Sequence, residues 1–92
     1  MIGLAYRARK VKTGEDLIVK EIQAQRVKLL LLANDASERT KKQLINKCIF
    51  YEVPYIEVDD RQALGQAIGK PERVAIAITD QGFAKKLQSL LL

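Results

Sequence analysis

The run Lys12-Thr13-Gly14-Glu15-Asp16 gathers the side chains best placed to do chemistry in this sequence. A lysine leads into a glycine, and two carboxylates then open an apolar-periodic stretch. Glycine admits the close approach of another backbone. A helix starting there offers free N–H groups and the positive end of its dipole. Lys20 lies at i, i+4 from Asp16, on a shared helix face. Carboxylates here would repel bare phosphate, but they accept hydrogen bonds from exposed guanine N1–H and N2–H edges. The segment therefore suits folded RNA whose bases are splayed or sheared open. The plainer role of Glu15-Asp16, as of Asp59-Asp60, is to stabilise a helix dipole.

Other chemistry finds little material. The 92 residues contain no His and a single Cys. Histidine-based acid–base or triad catalysis is excluded, and so is an internal disulfide. A structural zinc site has no ligand set. Cys48 falls on the apolar face of a helix, as a small buried hydrophobe would. Lys12-Thr13-Gly14 has the wrong order for a phosphate-cradling loop. Gly65 and Gly69 are small residues at i, i+4, which close packing and a helix stop explain. The expectation is a protein without cofactor, metal or enzymatic activity. Apolar runs are too short to span a bilayer, and no signal-like stretch opens the chain, so no membrane contact is expected. A lone Cys fits a reducing compartment, and a cytoplasmic location is expected.

Charge is unevenly placed. The formal net charge is +5. Residues 1–28 hold seven basic side chains against three acidic ones, whereas residues 54–92 hold five of each. The densest stretch is Arg7-Ala-Arg9-Lys10-Val-Lys12. Such a cluster suits a polyanion partner, although a basic face can also serve solubility alone.

Positioning these residues takes an alternation of short elements in one domain, residues 1–92. A short helix at 2–9 has Ile2, Leu4, Ala5 and Ala8 apolar. Lys10-Val11-Lys12 is a candidate edge strand. Thr13, with Asp16, can cap a helix that runs to about Gln25 and buries Leu17, Ile18 and Ile22. Residues 27–33 form an apolar run of strand length, suited to a sheet covered on both faces. Asp35 with Glu38 marks the start of a helix at about 37–52, with Leu44, Ile45, Cys48 and Ile49 inward. Tyr55–Val58 is a short strand. Asp59 or Asp60 caps a helix carrying Ala63, Leu64, Ala67 and Ile68 inward, and Gly69 supplies its left-handed stop. Residues 73–79 form another apolar strand. Asp80 caps a last helix with Phe83, Ala84, Leu87, Leu90 and Leu91 inward. Strands joined through helices predict a three-layer α/β/α sandwich around a mixed, mostly parallel sheet of about four strands.

The chain also resembles the kink-turn RNA-binding ribosomal proteins typified by archaeal L7Ae and eukaryotic L30e, and within them the bacterial YlxQ-like branch. The carriers are Gly3-Leu-Ala-Tyr-Arg-Ala-Arg-Lys10, Thr13-Gly14-Glu15, Leu31-Leu-Ala-Asn-Asp-Ala-Ser37, Thr40-Lys-Lys42, Cys48, Val53-Pro-Tyr55, Leu64-Gly65, Ala67-Ile-Gly-Lys70 and Asp80-Gln-Gly-Phe-Ala-Lys-Lys-Leu87. The resemblance implies a non-enzymatic protein that binds RNA internal loops with sheared G·A pairs beside a bulge. It implies a Gly-x-Asn-Glu-x-x-Lys motif reading guanine edges. Gly14 matches its glycine and Lys20 its lysine, while Asp16 stands at the Asn and Leu17 at the Glu. A register slid by one puts Glu15 and Asp16 on the Asn-Glu pair and Val19 on the lysine. A second loop, implied to hold the bulged base, maps to residues 68–74, with Lys70, Arg73 and Val74 in contact. Arg9, Lys10 and Lys12 would meet phosphates.

The expected partner is structured RNA, ribosomal or from a riboswitch, with ribosome association and a monomeric protein. Binding would select the kinked conformer. The alternatives are a protein-interaction module, docking through Leu90-Leu91-Leu92, and an assembly factor that binds structured RNA without kink-turn specificity.

Overall fold

In the computed structural model, which describes residues 2–91, the chain runs α1 (Ile2–Arg7), β1 (Val11–Thr13), α2 (Glu15–Gln23), β2 (Leu29–Leu32), α3 (Glu38–Phe50), β3 (Tyr55–Glu57), α4 (Arg61–Ala67), β4 (Ala75–Ile78) and α5 (Gln81–Leu91). The strands form one sheet in the order β1-β4-β2-β3. Every residue of β2 and β4 is buried, as strands covered on both faces require. Alternation divides their side chains between two cores. Leu30, Leu32, Ala75 and Ala77 pack with Ile18 and Ile22 of α2 and with Leu44 and Cys48 of α3. Leu29, Leu31, Ile76 and Ile78 pack with Ala5 of α1, Leu64 of α4, and Ala84 and Leu87 of α5. The result is the expected three-layer sandwich, with α2 and α3 on one face and α1, α4 and α5 on the other. No helix among the described residues is long and apolar enough to cross a membrane.

The sheet is mixed, but its strand sense differs from the mostly parallel expectation. Only β2 and β3 pair in parallel; β4 runs antiparallel to both β1 and β2. The cause is the β3–α4–β4 connection. The seven residues of α4 span only about 10 Å, and the chain then folds back at once at Gly69 (φ 68°). It re-enters the sheet at the end it left, so β4 points the other way.

Four helices close in the same manner. At the ends of α1, α2, α3 and α4, two backbone N–H groups reach back to carbonyls of the last turn, as in Lys70 N to Gly65 O at 2.9 Å and Arg26 N to Glu21 O at 3.0 Å. The residue that turns the chain has positive φ each time: Arg9 (61°), Gln25 (60°), Glu52 (58°) and Gly69 (68°). Gly69 acts as expected, while the other three hold this geometry without glycine.

Several finer expectations change. Ser37, not Asp35, caps α3, accepting from Thr40 N at 3.2 Å. Asp35 serves α4 instead, accepting from Arg61 N at 3.0 Å. Asp60 and Asp80 cap as expected, at 2.8 and 2.9 Å. The N-cap of α2 is Gly14, with no side-chain cap, rather than Thr13. Leu4, Leu17, Ile49, Leu90 and Leu91 are exposed. Periodicity placed Leu17, Ile49, Leu90 and Leu91 inward, but the four-stranded sheet does not cover the flanks of these helices. Leu92 lies outside the described residues.

Cys48 is fully buried, and burial pushes its thiol up to about 11. A thiol reagent at pH 8 is expected to label Cys48 only in step with denaturant unfolding, since it needs both access and thiolate. Rapid labelling of the native protein would contradict this packing.

Candidate nucleic-acid interface

The strand registers bring one set of chain segments to a single end of the sheet. Thr13 pairs with Ile76, Leu32 pairs with Ala75, and Leu32 also pairs with Glu57. The last residues of β1, β2 and β3 and the first of β4 therefore share one pole, where α2, α3 and α4 also begin. Three helix N-termini converge there, each with the positive end of its dipole outward.

Gly14 turns the chain from β1 into α2 at this pole. Its φ of 92° suits glycine, and the space where a Cβ would stand is open. The first intrahelical bond runs from Ile18 N to Gly14 O at 2.9 Å. The N–H groups of Glu15, Asp16 and Leu17 precede it, and no side chain caps the helix start. Glu15 is held: Thr40 Oγ1 donates to its Oε1 at 3.0 Å. Ser37 Oγ in turn donates to Thr40 Oγ1 at 3.1 Å. This relay fastens the start of α2 to the start of α3 and leaves the second oxygen of Glu15 as an acceptor. Asp16, Leu17 and Lys20 are exposed. Among the described residues, no ion pair joins Asp16 to Lys20.

The loop from Ile68 to Val74 forms the other wall. A Cβ on Gly65 would run into the Pro71 carbonyl oxygen, and would lie 2.6 Å from Pro71 C and 2.9 Å from Glu72 Cα. The loop backbone therefore lies directly on α4. Arg73 N donates to Arg61 O at 3.0 Å, and Ala33 N donates to Val74 O at 2.8 Å. The Arg61 guanidinium ties the same region to Asp35, with Nη2 to Asp35 O at 2.6 Å and Nε to Oδ2 at 3.4 Å. The Arg73 guanidinium donates to the carbonyls of Glu72 and Pro71, at 2.9 and 3.3 Å. Val74 is half-buried against the core on the α2–α3 face. Lys70 is exposed, with Nζ 6.0 Å from the centre of the Tyr6 ring. Because β4 lies between β1 and β2, Val74 emerges between Gly14 and Asn34.

The structure thus brings together Gly14, Glu15, Asp16 and the Arg73-Val74 end of the loop, with Lys20 one turn along α2. It separates Arg9 and Lys10 from them. Lys10 O accepts from Thr79 N at 2.9 Å, beside the far end of β4. Lys12, half-buried on β1, lies between the two ends. Sequence reasoning missed Ser37, Thr40, Asp35 and Arg61. Ser37 carried a capping signal, but the partners of Thr40, Asp35 and Arg61 lie 25 or 26 residues away in the chain.

The model of the Ribosomal protein L7Ae/L30e/S12e/Gadd45 family matches residues 1–88. The RNA-binding protein YlxQ of Bacillus subtilis (strain 168) is 57% identical over 91 residues, covering 99% of this chain and 91% of that protein. The large ribosomal subunit protein eL8 of Thermoplasma acidophilum is 28% identical over 88 residues, covering 95% of this chain and 73% of that protein. A solved structure described as a protein with unknown function from Bacillus halodurans C superposes with a TM-score of 0.95 at 49% identity, covering 98% of this chain and 91% of that one.

Gly65→Ala is expected to destabilise the protein by roughly 1–3 kcal/mol, as overpacking does. The gain of about 1 kcal/mol that Ala brings to a helix interior should not offset the clash with loop backbone. Denaturant titration measures the change, and equal or greater stability would show that the loop does not rest on α4.

Proposed function

The chain belongs to the Ribosomal protein L7Ae/L30e/S12e/Gadd45 family, and from that premise we propose that it is a non-enzymatic RNA-binding protein whose target is a kink-turn. It recognises sheared G·A pairs beside a bulge and stabilises the bent form. The observation that carries this reading is the pole where the uncapped start of α2 faces the pinned 68–74 loop. The name of the YlxQ relative supports RNA as the ligand. The name of the eL8 relative supports a ribosomal setting.

The residues take distinct roles. Gly14 lets RNA approach the first turn of α2. Asp16 and the second oxygen of Glu15 accept from guanine N1–H and N2–H, with Glu15 aimed by Thr40. Asp16 accepts but cannot donate, unlike the amide the family motif places there. Lys20 supplies a charge-assisted bond to a base edge or an adjacent phosphate. Leu17 presents an apolar surface between them. On the loop, Lys70, Arg73 and Val74 cover the bulged base, and the guanidinium of Arg73 stiffens the loop by gripping its carbonyls. The protein acts as a monomer in the cytoplasm. The bend already exists within the RNA ensemble, and binding shifts the population toward it.

A kink-turn duplex is expected to bind at least about tenfold more tightly than the same duplex without its bulge. Lys20→Ala should weaken kink-turn binding by about 10- to 100-fold, the worth of a charge-assisted hydrogen bond, with an unchanged circular dichroism melt. Equal affinity for the two duplexes would leave only non-specific electrostatics.

A further inference from the structure

The basic residues of the first 28 positions reach from Lys12, beside the Gly14 pole, to the far end of β4, where they form a surface of their own. Arg9, Lys10, Lys12, Arg26 and Lys28 line one open depression with Glu21, Gln25 and Thr79. Backbone pairing brings them there from three segments. Lys28 N donates to Ile78 O at 2.7 Å on one side of β4, and Thr79 N donates to Lys10 O at 2.9 Å on the other. The positive-φ turns at Arg9 and Gln25 fold the ends of α1 and α2 over the same spot.

The one acid in this group is already engaged. Glu21 is buried, and Arg26 holds it through Nε at 2.8 Å and Nη2 at 2.6 Å. The Arg26 hydrogen bonds, with the nearby charges of Arg26 and Lys12, hold its carboxyl below the usual range despite burial. Glu21 therefore organises the patch and spends its charge on Arg26. Arg9, Lys10 and Lys28 are exposed and make no ion pair among the described residues.

We infer that this patch is a second RNA contact, which holds the phosphate backbone of a duplex running past the pole opposite the 68–74 loop. The chemistry favours this partner. The lining holds no aromatic or large apolar side chain to anchor a protein or stack unpaired bases. It offers lysine and guanidinium donors, the groups that neutralise phosphates. The separation also fits, since the chain from Lys28 to Asn34 spans about 20 Å at strand rise. One RNA with a long enough arm can reach both ends of the sheet. The proposal rests on RNA being the ligand, not on kink-turn specificity.

The test compares the wild-type chain with the double variant Lys10→Gln/Lys28→Gln on three RNAs over a salt series. One is a kink-turn whose arms end short of the patch, one carries a long duplex arm, and one is a plain long duplex. The wild type should prefer the long-armed RNA. The variant should lose that preference, bind the long-armed RNA roughly tenfold more weakly at low salt, and show a salt slope shallower by about two. It should bind the short-armed RNA as the wild type does. Equal loss on both armed RNAs, or no loss on the long one, would overturn the proposal. So would a poly-glutamate peptide that binds the patch more tightly than duplex. Failure of kink-turn specificity is read separately, from the short-armed RNA against its bulge-free form. The patch effect would still appear on the plain duplex.

Discussion

The structure depends on β4 running between β1 and β2, antiparallel to both. Ala75–Ile78 is buried at every position and supplies a wall to both cores. Its direction decides which loops meet. Because β4 starts where β1, β2 and β3 end, the loop that leads into it stands beside the starts of α2, α3 and α4. Were β4 parallel to β2, the 68–74 loop would enter from the other end, and Gly14 would face no second wall.

The site is stiffened by contacts within its segments and between segments distant in sequence. Ser37 and Thr40 fasten Glu15, Asp35 receives Arg61, and Gly65 seats the loop backbone. Each such contact fixes a group before a ligand arrives, which lowers the ordering cost of binding. Four of the acids at this pole have structural work: Glu15 with Thr40, Asp35 with Arg61, Asp60 at the α4 cap, and Glu57 with Lys41 at 3.2 Å. Asp16 stands apart from them as an exposed acceptor. The pole therefore carries mixed charge and suits reading of base edges, while one depression at the opposite end is lined by five cations and a single, neutralised carboxylate.

The layers, the elements and the caps at Asp60, Asp80 and Gly69 were legible in the sequence, because each leaves a local mark: an apolar run, a carboxylate before a helix, a glycine after one. Strand sense was not. It depends on where the chain re-enters after α4, and the tight closure at Gly69 reverses the outcome that a helix between strands suggests. The three non-glycine turns at Arg9, Gln25 and Glu52 were invisible for the complementary reason: backbone hydrogen bonds close them, and no glycine marks the place. Gly14, Glu15 and Asp16 were singled out as candidates from spacing and resemblance. The division of the basic cluster was hidden by adjacency, since Lys10 and Gly14 lie four positions apart yet flank different parts of β4.

The central claim is that one pole, built from the start of α2 and the 68–74 loop, is where RNA is read. Amide NMR of the isotope-labelled protein, titrated with a short-armed kink-turn RNA, tests it most directly. The account predicts the largest shifts at residues 15–17 and along residues 69–74, with little change at the exposed end of α3 around Ile49 and Phe50. Shifts concentrated at the end of α3, with Glu15, Asp16 and the loop unmoved, would contradict it.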